Sequence, residues 1–236
     1  MNPIEQLKIM ANSSYVILKD GMTKKEIEKL KRAAPKNTLS KEVEEVLSFS
    51  SGFKIERGFL NEIQFNNFGD FGFEELIEFN LTITHDGSGN YWIQEINQKG
   101  EWGKIFYVCH DPAVIIKQAN NLSEFLSQLH EYFLKGEKSF FSEVYKKISF
   151  TIYSGKGKLL EQKEAVASKD EKLSNFAKEY NEDWFIADLR NAKNGEGFLL
   201  EANYKETIRF EDELIWALKK RKGFWTRIKG IFNSKV

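Results

Sequence analysis

Four runs of strand-like sequence follow one another across residues 76–118, with little chain between them. "LIEFNLTIT" alternates apolar and polar residues. "YWIQEI", "KIFYVC" and "AVIIKQ" are rich in the β-branched and aromatic residues that pack on a pleated surface. A helix should come next. Asn121 suits an N-cap, Glu124 stands at the third helical position, and Leu122, Phe125, Leu126, Leu129 and Phe133 make one apolar stripe that Gly136 would stop.

The flanking segments extend this pattern. Upstream, "TKKEIEKLKRAAP" reads as a charged helix start or arm that stops at Pro35. "LSKEVEEVLSFSSGF" sets Leu39, Val43, Val46 and Leu47 at helical spacing, with Gly52 placed as a left-handed C-terminal cap. The Gly- and Phe-rich stretch 65–77 reads as surface loops with aromatic anchors. After Gly136 a second cycle begins. "ISFTIYS" and "KLLEQKEAV" look like strands joined across Gly155-Lys156-Gly157, and Ser168–Glu171 opens a helix over "KLSNFAKEYN". "WFIADLRN" and "GFLLEAN" then suggest a hairpin around Asn194-Gly195. The expected division is a first domain over 1–136, a small α+β extension or second domain over 137–210, and a basic amphipathic helical tail over 211–236.

Charge is balanced overall but not along the chain. Residues 1–136 carry 15 basic and 19 acidic side chains, a net of −4, and residues 137–236 carry 20 and 16, a net of +4. No acid follows Glu213, whereas Lys219, Lys220, Arg221, Lys222, Arg227, Lys229 and Lys235 do. Trp216 and Trp225 add amphipathic rings beside Arg227 and Lys229. This tail could dock on the second unit with its lysines in water, or lie on an anionic membrane surface; a nucleic-acid contact ranks below both. Cys109 is the single cysteine, which rules out an intrachain disulfide and suits a reducing compartment. No run approaches the roughly 20 apolar residues that span a bilayer, and the opening "MNPIEQLKIM" lacks a signal-peptide core, so a cytoplasmic location is expected.

Candidate chemistry centres on Asp86-Gly87-Ser88-Gly89-Asn90. A phosphate cradle would run from such a loop into a helix, but here a strand pattern follows. A calcium loop would need alternating oxygen ligands and a closing bidentate glutamate, and Glu95 is out of place for that. The conformational alternative is stronger: Gly87 and Gly89 can take positive φ, and Asp86 and Asn90 can bond their own backbone. His110-Asp111-Pro112 should end one strand and turn into the next, with Pro112 fixing φ. Cys109 beside His110 cannot form a nucleophile–base pair on one strand, because adjacent side chains point to opposite faces. Neither a cofactor nor a metal is expected.

Taken together, the Asp86–Asn90 loop with Trp92, His110-Asp111-Pro112, the closing "NNLSEFLSQL", and the early "LSKEVEEVLSFSSGF" with Gly52 resemble the SUKH superfamily of bacterial and fungal Smi/Knr-type domains. The resemblance covers roughly residues 36–135 and leaves the last hundred residues without a counterpart. It implies an α+β fold with a central, largely antiparallel sheet flanked by helices, and function without catalysis. Many bacterial members are immunity proteins that neutralise a toxin domain of a polymorphic or contact-dependent system, and fungal members regulate cell-wall assembly. The expectation is therefore a non-catalytic protein that binds a cognate protein toxin, such as a nuclease, with Asp70, Glu74, Glu75, Asp86 and Asp111 as candidate contacts. The alternative is a regulatory or scaffold protein held at a membrane by its basic tail. Chemistry through Cys109, His110 and Asp111 is a minor third reading.

Overall fold

The structure, a computed structural model, describes residues 2–56, 58–68, 76–155, 157–200, 206–211 and 213–220. The described elements are α1 (Pro3–Ala11), β1 (Val16–Leu18), α2 (Lys24–Lys31), α3 (Lys41–Phe49), β2 (Gly52–Ile55), β3 (Glu62–Gln64), β4 (Asn80–His85), β5 (Tyr91–Ile96), β6 (Trp102–His110), β7 (Ala113–Ala119) and α4 (Leu122–Lys135). After these come α5 (Phe140–Glu143), a π turn (Val144–Ile148), α6 (Ser149–Gly155), β8 (Leu159–Glu161), α7 (Gln162–Val166), α8 (Glu171–Lys178), β9 (Trp184–Asp188), β10 (Gly197–Leu199), β11 (Thr207–Arg209) and β12 (Ile215–Lys219). All of their strand pairings are antiparallel, which establishes the α+β class.

The described strands form three sheets: β1-β2-β3, the central β10-β7-β6-β5-β4, and β11-β12-β9-β8. Alternation along the central strands divides their side chains between two cores. Leu81, Ile83, Trp92, Ile105, Tyr107 and Val114 face the helical side, where Leu7, Val43, Val46, Phe125 and Leu129 cover them. Ile93, Phe106, Val108 and Ile115 face the other way, onto Phe185, Ala187, Trp216 and Leu218 of the β11-β12-β9-β8 sheet. That sheet buries Ile186, Ile215 and Ala217 beneath Leu173, Phe176 and Ala177 of α8. The order of layers is helices, sheet, sheet, helices. Each large apolar side chain buried in this way contributes roughly 1.5–3 kcal/mol.

The helix starts follow from capping chemistry. Asn2 and Thr23 each form a reciprocal capping box with the glutamate three residues on. Asn121 Oδ1 accepts from the Glu124 amide at 2.9 Å, while the Glu124 carboxylate turns back to the Asn120 amide at 2.7 Å. Gly136 ends α4 at positive φ, as expected.

Several expectations are corrected. Gly52 is not a helix cap: Ser50 holds that position, and Gly52 opens β2 with φ +139°. A Cβ there would lie 2.1 Å from the Ile63 carbonyl oxygen, so close approach of β3 requires glycine. "ISFTIYS" is helical. A strand would put Ile148, Phe150 and Ile152 on one face, but Ile152 is buried while Phe150 is 65% exposed. Ser149, Thr151 and Ser154 bond carbonyls four residues back, which absorbs their hydroxyls in the helix. In "KLLEQKEAV" strand geometry lasts only for β8, and α7 follows at once.

"WFIADLRN" and "GFLLEAN" do not form a hairpin. β9 lies between β12 and β8, whereas β10 adds to the central sheet beside β7. Gly195 has the positive φ of a turn, but its amide bonds Lys117 of β7 rather than closing a hairpin, and Gly197 lets the β7 backbone approach. The expected tail helix is also overturned where the chain is described. Ile215–Lys219 is a strand, because Leu214, Trp216 and Leu218 alternate with Ile215 and Ala217 between two cores, a period of two.

One ion pair ties the two large sheets. Arg209 of β11 meets Glu95 of β5 at 2.7 Å, with side chains only 12% and 13% exposed. Burial raises the Glu95 carboxyl from its ordinary range, and Arg209 acts against that rise. Arg209→Ala leaves the carboxylate buried without its cation and should destabilise by about 3–5 kcal/mol. Urea unfolding would measure this, with the Arg209→Met, Glu95→Met double substitution expected to cost less. A loss near zero for Arg209→Ala would show that the pair does not hold the sheets together.

Candidate functional site

The β4–β5 and β6–β7 turns lie at the same end of the central sheet. Asp86 organises the first turn: its Oδ1 accepts from the Ser88 amide at 2.8 Å and the Asn90 amide at 3.2 Å, and its Oδ2 accepts from Asn90 Nδ2 at 2.5 Å. Gly87 and Gly89 take φ of +77° and +84°. The Asp86–Asn90 segment is thus an Asx-type turn, with the aspartate directed at its own backbone. The second turn closes against it, since His110 Nδ1 lies 3.2 Å from the Gly89 carbonyl oxygen. Asp111 and His110 are exposed, and Pro112 follows Asp111 through a cis peptide bond.

A third element reaches this end from the segment just before the run "ISFTIYS". The π turn carries Tyr145, whose hydroxyl donates to Asp86 Oδ2 at 3.1 Å. Beneath it, Trp92 is fully buried, lies flat on Phe141 at 5.1 Å between ring centroids, and donates through Nε1 to Gln118 at 3.2 Å. Phe59 stacks on Tyr145 at 4.9 Å. The signal for Tyr145 was present in the sequence. Phe141, Val144, Ile148 and Ile152 recur at intervals of three and four, a helical spacing.

The electrostatics favour a fixed shape over reactivity. At Asp86, burial pushes the carboxyl up, but the bonds from Asn90, Ser88 and Tyr145 outweigh it and the net shift is downward. The turn's contribution to stability is therefore present above the unfolded carboxyl value near 3.9 and is lost as pH falls below about 4. At Cys109, burial pushes the thiol up, despite an opposing bond from Tyr107, which disfavours the thiolate a nucleophile needs. Cys109 is buried in the helical-side core while its neighbour His110 is exposed, so the two do not form a pair. Among the described residues no group of three or more His, Cys, Asp or Glu gathers to hold a metal.

Of the other candidates, Asp70, Glu74, Glu75, Trp225, Arg227 and Lys229 lie outside the described residues. Trp216 is corrected: it is fully buried between the sheets and donates to the Leu76 carbonyl at 2.8 Å, so it offers no ring to a membrane. No helix among the described residues is long and apolar enough to cross a membrane.

The glycines should differ on substitution. A Cβ at Gly87 meets nothing within 4 Å, whereas one at Gly89 would sit 2.7 Å from the His110 ring. Gly87→Ala should cost about 1 kcal/mol for its left-handed backbone, and Gly89→Ala more, as His110 is displaced. Trp92→Ala should cost about 3–5 kcal/mol. Thermal and urea unfolding would check the order, and equal losses at the two glycines would remove His110 from the account. Searches against protein-family models, curated proteins and solved structures each return no match for this chain.

Proposed function

We propose that this chain works by contact, as a cytoplasmic immunity-type protein that occludes a cognate toxin domain of a polymorphic or contact-dependent system. One observation carries the reading. The Asp86 turn is held by four donors from its own chain, and it sets a second exposed acidic turn, at Asp111, beside it. A blocking protein needs a surface that keeps its shape on binding, because ordering a loose loop at the interface costs affinity. The net charge of −4 over residues 1–136 complements a basic toxin such as a nuclease, and opposite fields speed encounter. The resemblance of residues 36–135 to SUKH domains points the same way.

The test begins with the neighbouring genes, where the reading expects a large secreted protein. Its C-terminal domain should be toxic when expressed alone, co-precipitate with this chain and be neutralised by co-expression. Asp111→Lys, on an exposed side chain, should slow association severalfold at low salt and much less at high salt, as measured by surface plasmon resonance. An intact chain that neither binds nor rescues would refute the pairing. Unchanged kinetics for Asp111→Lys would move the contact away from this end of the sheet.

A further inference from the structure

The first half of the chain is acidic as a whole, but one segment of it is basic. Residues 23–37 carry six cations, Lys24, Lys25, Lys29, Lys31, Arg32 and Lys36, against Glu26 and Glu28, a net of +4. The net of −4 over residues 1–136 therefore leaves −8 on the remainder of that half. Lys31 is committed within the fold, pairing with Glu28 at 2.7 Å and with Glu44 of α3 at 2.8 Å. The other five are exposed, and none of them forms an ion pair among the described residues.

Helical geometry gathers three of these cations into a stripe. At 3.6 residues per turn, Lys25, Lys29 and Arg32 fall within an arc of about 60°. That arc lies opposite Ile27, the residue that α2 buries. The two glutamates flank it and are engaged elsewhere: Glu26 closes the capping box with Thr23, and Glu28 turns to Lys31. Helix stability explains only part of the stripe. Cations suit the last turn, where Lys29 and Arg32 stand, but they oppose the helix dipole in the first, where Lys24 and Lys25 stand. Two exposed lysines at a helix start weaken the helix locally, and an external anion would reverse that effect.

The kind of anion follows from what accompanies the stripe. Residues 23–37 contain no aromatic side chain, so this segment offers nothing to stack on an unpaired base. The apolar side chains of α2 are Ile27, which is buried, and Leu30, which is half-buried, so the exposed face brings no apolar group to a bilayer. What it presents is charge alone, repeated every 4.5–6 Å or about that along a rod. Such an array suits a phosphate backbone, which is contacted without regard to sequence.

We propose that the face of α2 bearing Lys25, Lys29 and Arg32 binds the phosphate backbone of duplex nucleic acid, without sequence preference. Fluorescence anisotropy of a labelled duplex DNA, titrated with the full chain over a range of salt, tests it. Combining Lys25→Ala, Lys29→Ala and Arg32→Ala should remove about three units from the slope of log K against log salt, and each single substitution about one. At low salt the triple variant should bind at least about tenfold more weakly. These side chains are exposed and alanine favours helix, so its thermal melt should stay close to that of the unaltered chain. If it does not fold, the same three positions changed to glutamine serve in its place. Lys163→Ala with Lys169→Ala, at exposed lysines of the second half, should leave the slope unchanged. Absence of binding at low salt, a slope that the α2 substitutions do not alter, or an equal loss from the Lys163 and Lys169 pair would overturn the assignment. So would α2-dependent binding to phosphatidylglycerol vesicles that is tighter than binding to the duplex. The immunity reading stands or falls separately, since its test uses a protein partner and Asp111.

Discussion

The back of the central sheet is apolar, and covering it governs the rest of the architecture. Ile93, Phe106, Val108 and Ile115 would otherwise lie in water, and the helices of the first half are already committed to the front. A second sheet from the later part of the chain does the covering, with Trp216 and Phe185 filling the space between the layers. Polar contacts then fix the alignment of one sheet on the other. The indole of Trp216 donates to Leu76, and Arg209 pairs with Glu95 while lying over the Trp216 ring at 5.9 Å. Hydrophobic burial is nondirectional. These bonds are directional, and they are placed where sliding would break them.

At the turn end of the same sheet the polar groups are directed inward. Asp86 serves Ser88, Asn90 and Tyr145, and His110 leans on Gly89. Chemistry that looks reactive in the sequence is occupied in holding three chain segments in register. One acceptor on each side stays unmatched all the same, Asn90 Oδ1 in the turn and Gln94 Oε1 further along β5.

The local elements of the first half were legible because their signals are local. The four strands, the Asn121 cap, the α4 stripe and the positive φ of Gly87 and Gly89 each follow from a few neighbouring residues. What failed depended on distant partners. Gly52 has the look of a cap, but it is glycine because Ile63 comes close. The cationic neighbours of the run 215–219 suggest an amphipathic helix, whereas its period of two, visible in Leu214, Trp216 and Leu218, belongs to a strand between two cores. The spacing of Phe141, Val144, Ile148 and Ile152 signals a helical segment around Tyr145, but its bond to Asp86 arises only once the π turn meets the β4–β5 turn.

The placement of β10 bears on where this chain could be divided. By pairing with β7, three residues from the second half become the outermost strand of a sheet otherwise built by the first. Cutting near residue 136 would therefore do more than remove an appendage. It would leave the amides and carbonyls of β7 as an open template for another chain, directly beside the apolar surface that had faced Trp216. The two halves are interleaved by strand exchange, so the extension has to be inherited, expressed and engineered together with the part it completes.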